Sequence, residues 1–240
     1  MLNLSAFLPS LGPPASPSPA GGPFSDGLRI RDIRRGCVSS GLAAMDEYPN
    51  YAALSANERE GVDYRICATF RNSPVAIIAP HGGRIERRTS DIAAAIAGDS
   101  YALYCFEGTK PSGNSRLHIT SVNFDEPRCL DLIATCDVVV AAHGLLRDSE
   151  VIDIGGRNID LEAAICQSLK DAGFAAEIVT TGPHGGTEER NICNRGRSKQ
   201  GVQLEIPSRL RDELSQARLV TFADAVRQAI IGSKGNTLSN

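Results

Sequence analysis

The chain has 240 residues, 42% of them hydrophobic, enough to bury a full core in one compact domain plus terminal segments. A formal net charge of −3 gives no general attraction for nucleic acid or anionic lipid, so neither is an expected partner. No apolar run approaches the ~18 residues of a bilayer-spanning helix, which excludes such a membrane role.

The first segment, LNLSAFLPSL, is apolar but lacks the basic start of a signal peptide, and GPPASPSPAGGP after it is low-complexity. Foldable patterning begins near Met45, the second of only two methionines. The chain therefore reads as a disordered or loosely attached extension over residues 1–44 and a folded domain over 45–240. The seven cysteines are scattered, with no CxxC pair, and several sit in apolar runs such as YALYCF and YRICATF. They read as small core residues of a reducing compartment. The expected location is the cytoplasm, with host-cell lysis as the route of release.

Short β-rich runs alternate with helical patterns, the rhythm of an α/β domain. Strands are predicted at Tyr64–Phe70, Val75–Ala79, Tyr101–Phe106, Leu117–Ser121, Val138–Ala142, Ala175–Thr180 and Val202–Ile206. VAIIA and VVVAA are uniformly apolar, as strands covered on both faces are. Helices are predicted at Ser90–Ala97 (capped by Thr89 or Ser90), Pro127–Thr135, Leu161–Ala172, Ser208–Ala217 and Phe222–Ile231.

Two of the four histidines follow the two most apolar strands directly: His81 after VAIIAP and His143 after VVVAA. Ligands of open α/β sheets bind beyond the carboxyl ends of strands. His81 and Glu86 are five apart in HGGRIE, a spacing that puts them about 140° apart on a helix. They converge only through a turn, which Gly82 and Gly83 permit. Two imidazoles, a carboxylate and a water make an open catalytic zinc site. Glu205, inside the apolar run GVQLEIP, is a carboxylate that needs a function or a partner there. His184 in TGPHGG reads as a loop or substrate-contacting residue. His118 in LHITS, on a predicted strand, reads as a ligand-orienting, substrate-contacting or structural residue.

Together APHGGRIERRTSDIAAAIAG, YCFEG, LHITS, VVVAAHG, IGG and NRGRSKQGVQLEIP, in this order, resemble the phage-associated poly-γ-glutamate hydrolase family from about Met45 to Leu214. The resemblance implies a zinc carboxypeptidase-like fold: a mixed, mostly parallel sheet with helices on both faces and one zinc per chain. It implies His81, Glu86 and His143 as metal ligands and Glu205 as general base. An arginine then serves the oxyanion, Arg195 or Arg197 being the candidates just before the Glu205 run. Arg84, Arg87, Arg88, Arg190 and Lys199 extend a positive rim suited to an anionic polyamide, with Asn194 as a further carboxylate contact. The expected activity is endo-cleavage of γ-linked polyglutamate. The alternatives are a related zinc amidase, deacylase or cell-wall peptidase, or a non-enzymatic module that binds acidic polymer.

Overall fold

A computed structural model describes residues 46–236; the extension expected over residues 1–44 lies outside them. The elements run α1 (Tyr51–Ser55), β1 (Tyr64–Thr69), β2 (Val75–Gly83), α2 (Thr89–Ala97), β3 (Ala102–Gly108), α3 (Pro127–Ala134), β4 (Val138–Leu145) and β5 (Ile152–Gly156). They continue with α4 (Ile159–Asp171), β6 (Ala176–Ile178), β7 (Val202–Pro207), α5 (Ser208–Glu213) and α6 (Gln216–Asn236). Among the described residues no helix is long and apolar enough to cross a membrane.

The seven strands form one sheet in the order β1-β3-β2-β4-β7-β5-β6. The β1–β3 and β5–β7 pairings are antiparallel and the others parallel, so the sheet is mixed and mostly parallel, as expected. Alternation along the strands divides the core in two. Val75, Ile77, Val140, Ala142, Val202, Leu204 and Ile206 face α2, α4 and α6. Ala76, Ile78, Val139 and Ala141 face the opposite side, with Phe106, Phe124 and the α3 residues Cys129, Leu132 and Ile133.

Several expectations need correction. β5 was not foreseen, because five residues, two of them glycine, leave little period to read. The run Leu117–Ser121 is not a strand: Leu117 ends a 3₁₀ turn, and the segment lies over the sheet face with its backbone bonded elsewhere. Thr120 N donates to Asp46 Oδ2 at 2.6 Å, and Ser121 O accepts from Ile192 N at 2.9 Å. Helix α2 starts from Arg88 in a left-handed conformation (φ 70°), not from a Thr89 or Ser90 cap. Thr89 Oγ1 instead donates to Glu86 O at 2.8 Å, and Ser90 Oγ accepts from Gly83 N at 3.2 Å. The helix expected over 208–217 breaks at Leu214, and Ser215 Oγ accepts from Arg218 N at 3.3 Å to cap the start of α6. Cys67 is exposed rather than core; Cys105, Cys129, Cys136, Cys166 and Cys193 are buried.

Candidate metal centre

Strict alternation along β2 would turn His81 toward the α2 side of the sheet, with Val75, Ile77 and Ala79. A register shift between Ala79 and Gly82 intervenes: these pair with Cys105 and Glu107, so β2 spends one more residue than β3 over that stretch. A bulge of this kind re-aims a side chain, and it tolerates Pro80, which has no N–H for the ladder. His81 consequently packs on the other face, against Phe124, His118 and His143. The chain then folds back on itself: Glu86 N donates to His81 O at 2.8 Å, and Gly83 adopts φ 63°. This is the turn that the HGGRIE spacing requires.

Glu86 is fixed from the neighbouring strand, its Oε2 accepting from Gly144 N at 2.7 Å. A Cβ on Gly144 would stand 2.8 Å from both Glu86 Cβ and the buried Arg211 guanidinium carbon, so only glycine admits the contact. Arg211 itself ties the turn to the end of β7, donating to Ile206 O at 2.9 Å and to Arg87 O.

The donors converge. His81 Nδ1 lies 3.2 Å from Glu86 Oε1 and 3.2 Å from His143 Nδ1, and His143 Nδ1 lies 3.9 Å from Glu86 Oε2. His81 Nε2 reaches Ile119 O at 2.8 Å, which assigns its proton to Nε2 and leaves the Nδ1 lone pair facing the other donors. His118 also approaches, with Nε2 3.9 Å from Glu86 Oε1, so His81, Glu86 and His118 form a second donor triad. Ring geometry separates the two sets. With Zn–N of about 2.1 Å, two imidazoles at a tetrahedral angle place their ring centres ~5.2 Å apart. The His81 and His143 ring centres are 5.1 Å apart, whereas those of His81 and His118 are 4.0 Å apart, with the rings tilted 33° to each other. His118 Nδ1 lies 2.7 Å from Asp46 Oδ1, a carboxylate partner of the kind that orients a histidine ring beside a metal.

The electrostatics suit a cation. Burial opposes charge on His81, but Glu86 outweighs it and raises the pKa. Burial would raise Glu86, yet His81, His143 and the Gly144 amide hold it down to about 2. Burial and the His81 charge push His143 down to about 3. His81 and then burial lower His118.

Glu205 lies in register with His143 across β4 and β7, and with Asp153 across β7 and β5. Cross-strand partners point to the same face. His143, Glu205 and Asp153 thus form one row over three adjacent strands, on the face opposite α2, α4 and α6. Gln203 Nε2 donates to Glu205 Oε1 at 3.0 Å and also to His184 O at 3.0 Å. Burial, then the Glu86 charge, push Glu205 up to about 8.

The other expected site residues have partners of their own. Arg197 donates to Asp137 Oδ1 at 2.9 Å, just before β4 begins, whereas His143 lies near the end of that strand. It stands at the wrong end of the sheet for an oxyanion. Arg195 donates to Phe124 O at 3.0 Å; no hydrogen bond or ion pair among the described residues joins it to Glu205, Glu86 or either histidine donor. Asn194 is consumed by the backbone, donating to Gly186 O and Glu188 O and accepting from Gly201 N, so it fastens a loop. Lys199 lies in the turn after Arg197, its N donating to Gly196 O, and Arg88 donates to Leu214 O. Sequence reasoning missed Asp46, Arg147, Asp153, Gln203 and Arg211. Asp153 and Gln203 carried the signal read at Glu205, a polar side chain at an alternate position of an apolar run.

Residues 48–227 match the family described as poly-gamma-glutamate hydrolase. The SPbeta prophage-derived protein YoqZ of Bacillus subtilis (strain 168) is 40% identical over 174 residues, which are 72% of this chain and 63% of YoqZ. YndL of the same strain is 36% identical over 176 residues, 73% of this chain and 69% of YndL. The chain thus spans less than two thirds of the length of YoqZ. A solved bacteriophage poly-gamma-glutamate hydrolase superposes with a TM-score of 0.75 at 34% identity, covering 80% of this chain and 99% of that one. Zinc-free YndL gives 0.74 at 32% identity, covering 79% and 99%. The chain belongs to the poly-gamma-glutamate hydrolase family.

Proposed function

We propose that this protein is an endo-acting hydrolase of γ-linked polyglutamate, with one zinc per chain held by His81, Glu86 and His143 and with Glu205 as general base. The observation that supports it most is the register of β4 and β7, which sets Glu205 beside His143 on the face where the metal donors converge. The 3.2 Å approach of two imidazole Nδ1 atoms supports the ligand set, since it brings both nitrogens within reach of a single cation.

Zinc bound there supplies Lewis acidity, polarising a carbonyl and lowering the pKa of water. Glu205 takes the proton from the attacking water and returns it to the leaving nitrogen. Gln203 holds Oε1 of Glu205 and leaves Oε2 for that transfer. Asp46 fixes the His118 ring along one wall, and the Ile119 carbonyl fixes the His81 tautomer.

The test is incubation with γ-linked and α-linked polyglutamate of matched length at one ionic strength, followed by sizing. The γ-linked polymer should fragment from its interior, stop on chelation and resume with added zinc, while the α-linked polymer stays intact. Equal cleavage of both would mean that the site reads charge alone. Cleavage of neither, with turnover of acylated amino acids, would favour a related amidase. Binding without cleavage would overturn the enzymatic reading.

A further inference from the structure

Asp153 is the one member of the polar row without a part in this chemistry. Its side chain is only 2% exposed, and both its oxygens are taken by groups from outside the sheet. Arg147, in the loop after β4, donates Nη1 to Oδ1 at 2.9 Å and Nη2 to Oδ2. His184, in the turn that packs on Gly155, brings Nδ1 to 3.2 Å from Oδ2. The two partners remain open to solvent, with side chains 35% and 34% exposed. A buried carboxylate is costly unless paired and hydrogen-bonded, and here the pairing fixes two loops at one point beside Glu205.

Arg147 meets Asp153 end-on, through its two terminal nitrogens. A guanidinium has a second, lateral fork made of Nε and one terminal nitrogen, and the contacts with Asp153 leave that fork available. Asp153 and Glu205 are paired on adjacent strands about 4.8 Å apart, so the guanidinium that Asp153 holds lies one strand away from the group that protonates the leaving nitrogen, and the Glu205 charge is felt at Arg147.

Substrate chemistry gives this placement a use. In a γ-linked chain the leaving nitrogen is attached to an α-carbon that bears a free carboxylate. In an α-linked chain the same carbon bears the next amide, which is neutral, and the free carboxylate stands at the end of the side chain. We propose that Arg147, positioned by Asp153 and flanked by His184, binds the α-carboxylate of the leaving residue and so sets the preference for γ-linkage. This rests on the hydrolase reading above and adds the residue that selects the linkage.

The test uses the full chain with zinc and a γ-linked oligoglutamate in which one internal residue carries a primary amide in place of its α-carboxylate. Cleavage is read bond by bond by mass spectrometry. The bond whose leaving residue carries the amide should be cut roughly 10- to 100-fold more slowly than the equivalent bond of the unmodified oligomer, the usual cost of a lost charge-assisted contact. Arg147→Lys, which keeps the charge and lacks the second fork, should abolish most of that difference. Because the comparison is a ratio between two substrates, it holds even where the variant is less stable. Equal cutting of the two bonds by the unaltered protein, or an undiminished ratio in Arg147→Lys, would overturn the proposal. If no bond in either oligomer is cut, the hydrolase reading itself fails. Equilibrium binding of the two oligomers then decides the subsite: tighter binding of the carboxylate form supports it, and equal affinity overturns it.

Discussion

The strands β4, β7 and β5 have two faces of opposite chemistry. On one, Val140, Ala142, Val202, Leu204, Ile206, Ile152 and Ile154 are buried in a wholly apolar cluster with α4 and α6. On the other, Val139 and Ala141 are followed toward the site by His143, with Gln203, Glu205 and Asp153 at the alternate positions of β7 and β5. The same backbone serves both, because successive side chains of a strand point to opposite sides. The apolar face holds the sheet rigid against helices, and the polar face can then carry groups that would be costly elsewhere. Each polar side chain on it has a partner: Glu86 and His81 for His143, Gln203 for Glu205, Arg147 for Asp153.

If the faces divide labour in this way, substitutions on them should fail differently. The largest effect belongs to His143→Ala, which should lose zinc after dialysis and bring hydrolysis to background, while His118→Ala retains the metal. Metal analysis of the two variants decides between the donor triads. Zinc kept by His143→Ala and lost by His118→Ala would assign the site to His81, Glu86 and His118 instead. Next comes Leu204→Ala on the apolar face. It should lower unfolding stability by about 2–5 kcal/mol in denaturant titration, with zinc stoichiometry unchanged. Loss of metal from that variant would mean that the two faces are not separable.

A smaller effect should appear in the metal-free protein. The Glu205 carboxyl, ordinarily near 4.5, stands at about 8 in the folded chain. The folded state therefore binds more protons than the unfolded state between those values, and stability from this group is lost as pH rises through that window. Glu205→Gln removes that dependence. Melting temperatures of the chelated proteins should lie closest near pH 5 and separate toward pH 8, with the variant the more stable. A constant offset across that range would contradict the buried, metal-free environment assigned to Glu205.

Much of this was readable in the sequence where local pattern and chemistry coincide. VAIIA and VVVAA announce buried strands, and the histidines that follow them do stand at strand ends over the site. The HGGRIE turn followed from spacing and glycine alone. Arg197 was misjudged because chain proximity to Glu205 says nothing about which end of a sheet a loop covers; it returns to Asp137, before β4 begins. Asp153 escaped notice because its strand is short and its pairing with β7 is antiparallel, a topology that local period does not encode. The bulge that turns His81 to the working face depends on pairing with β3, and only Pro80 hints at it.

The central claim is that the polar row separates metal holding from proton transfer, and Glu205→Gln tests it most directly. The variant should bind zinc as the unaltered chain does and fold normally. Its rate of poly-γ-glutamate cleavage should fall by roughly 10² to 10⁴, the contribution of a positioned acid–base group. Zinc content and polymer sizing on one preparation measure both. Full zinc with the rate so reduced is the predicted result; near-normal turnover, or loss of the zinc, would contradict it.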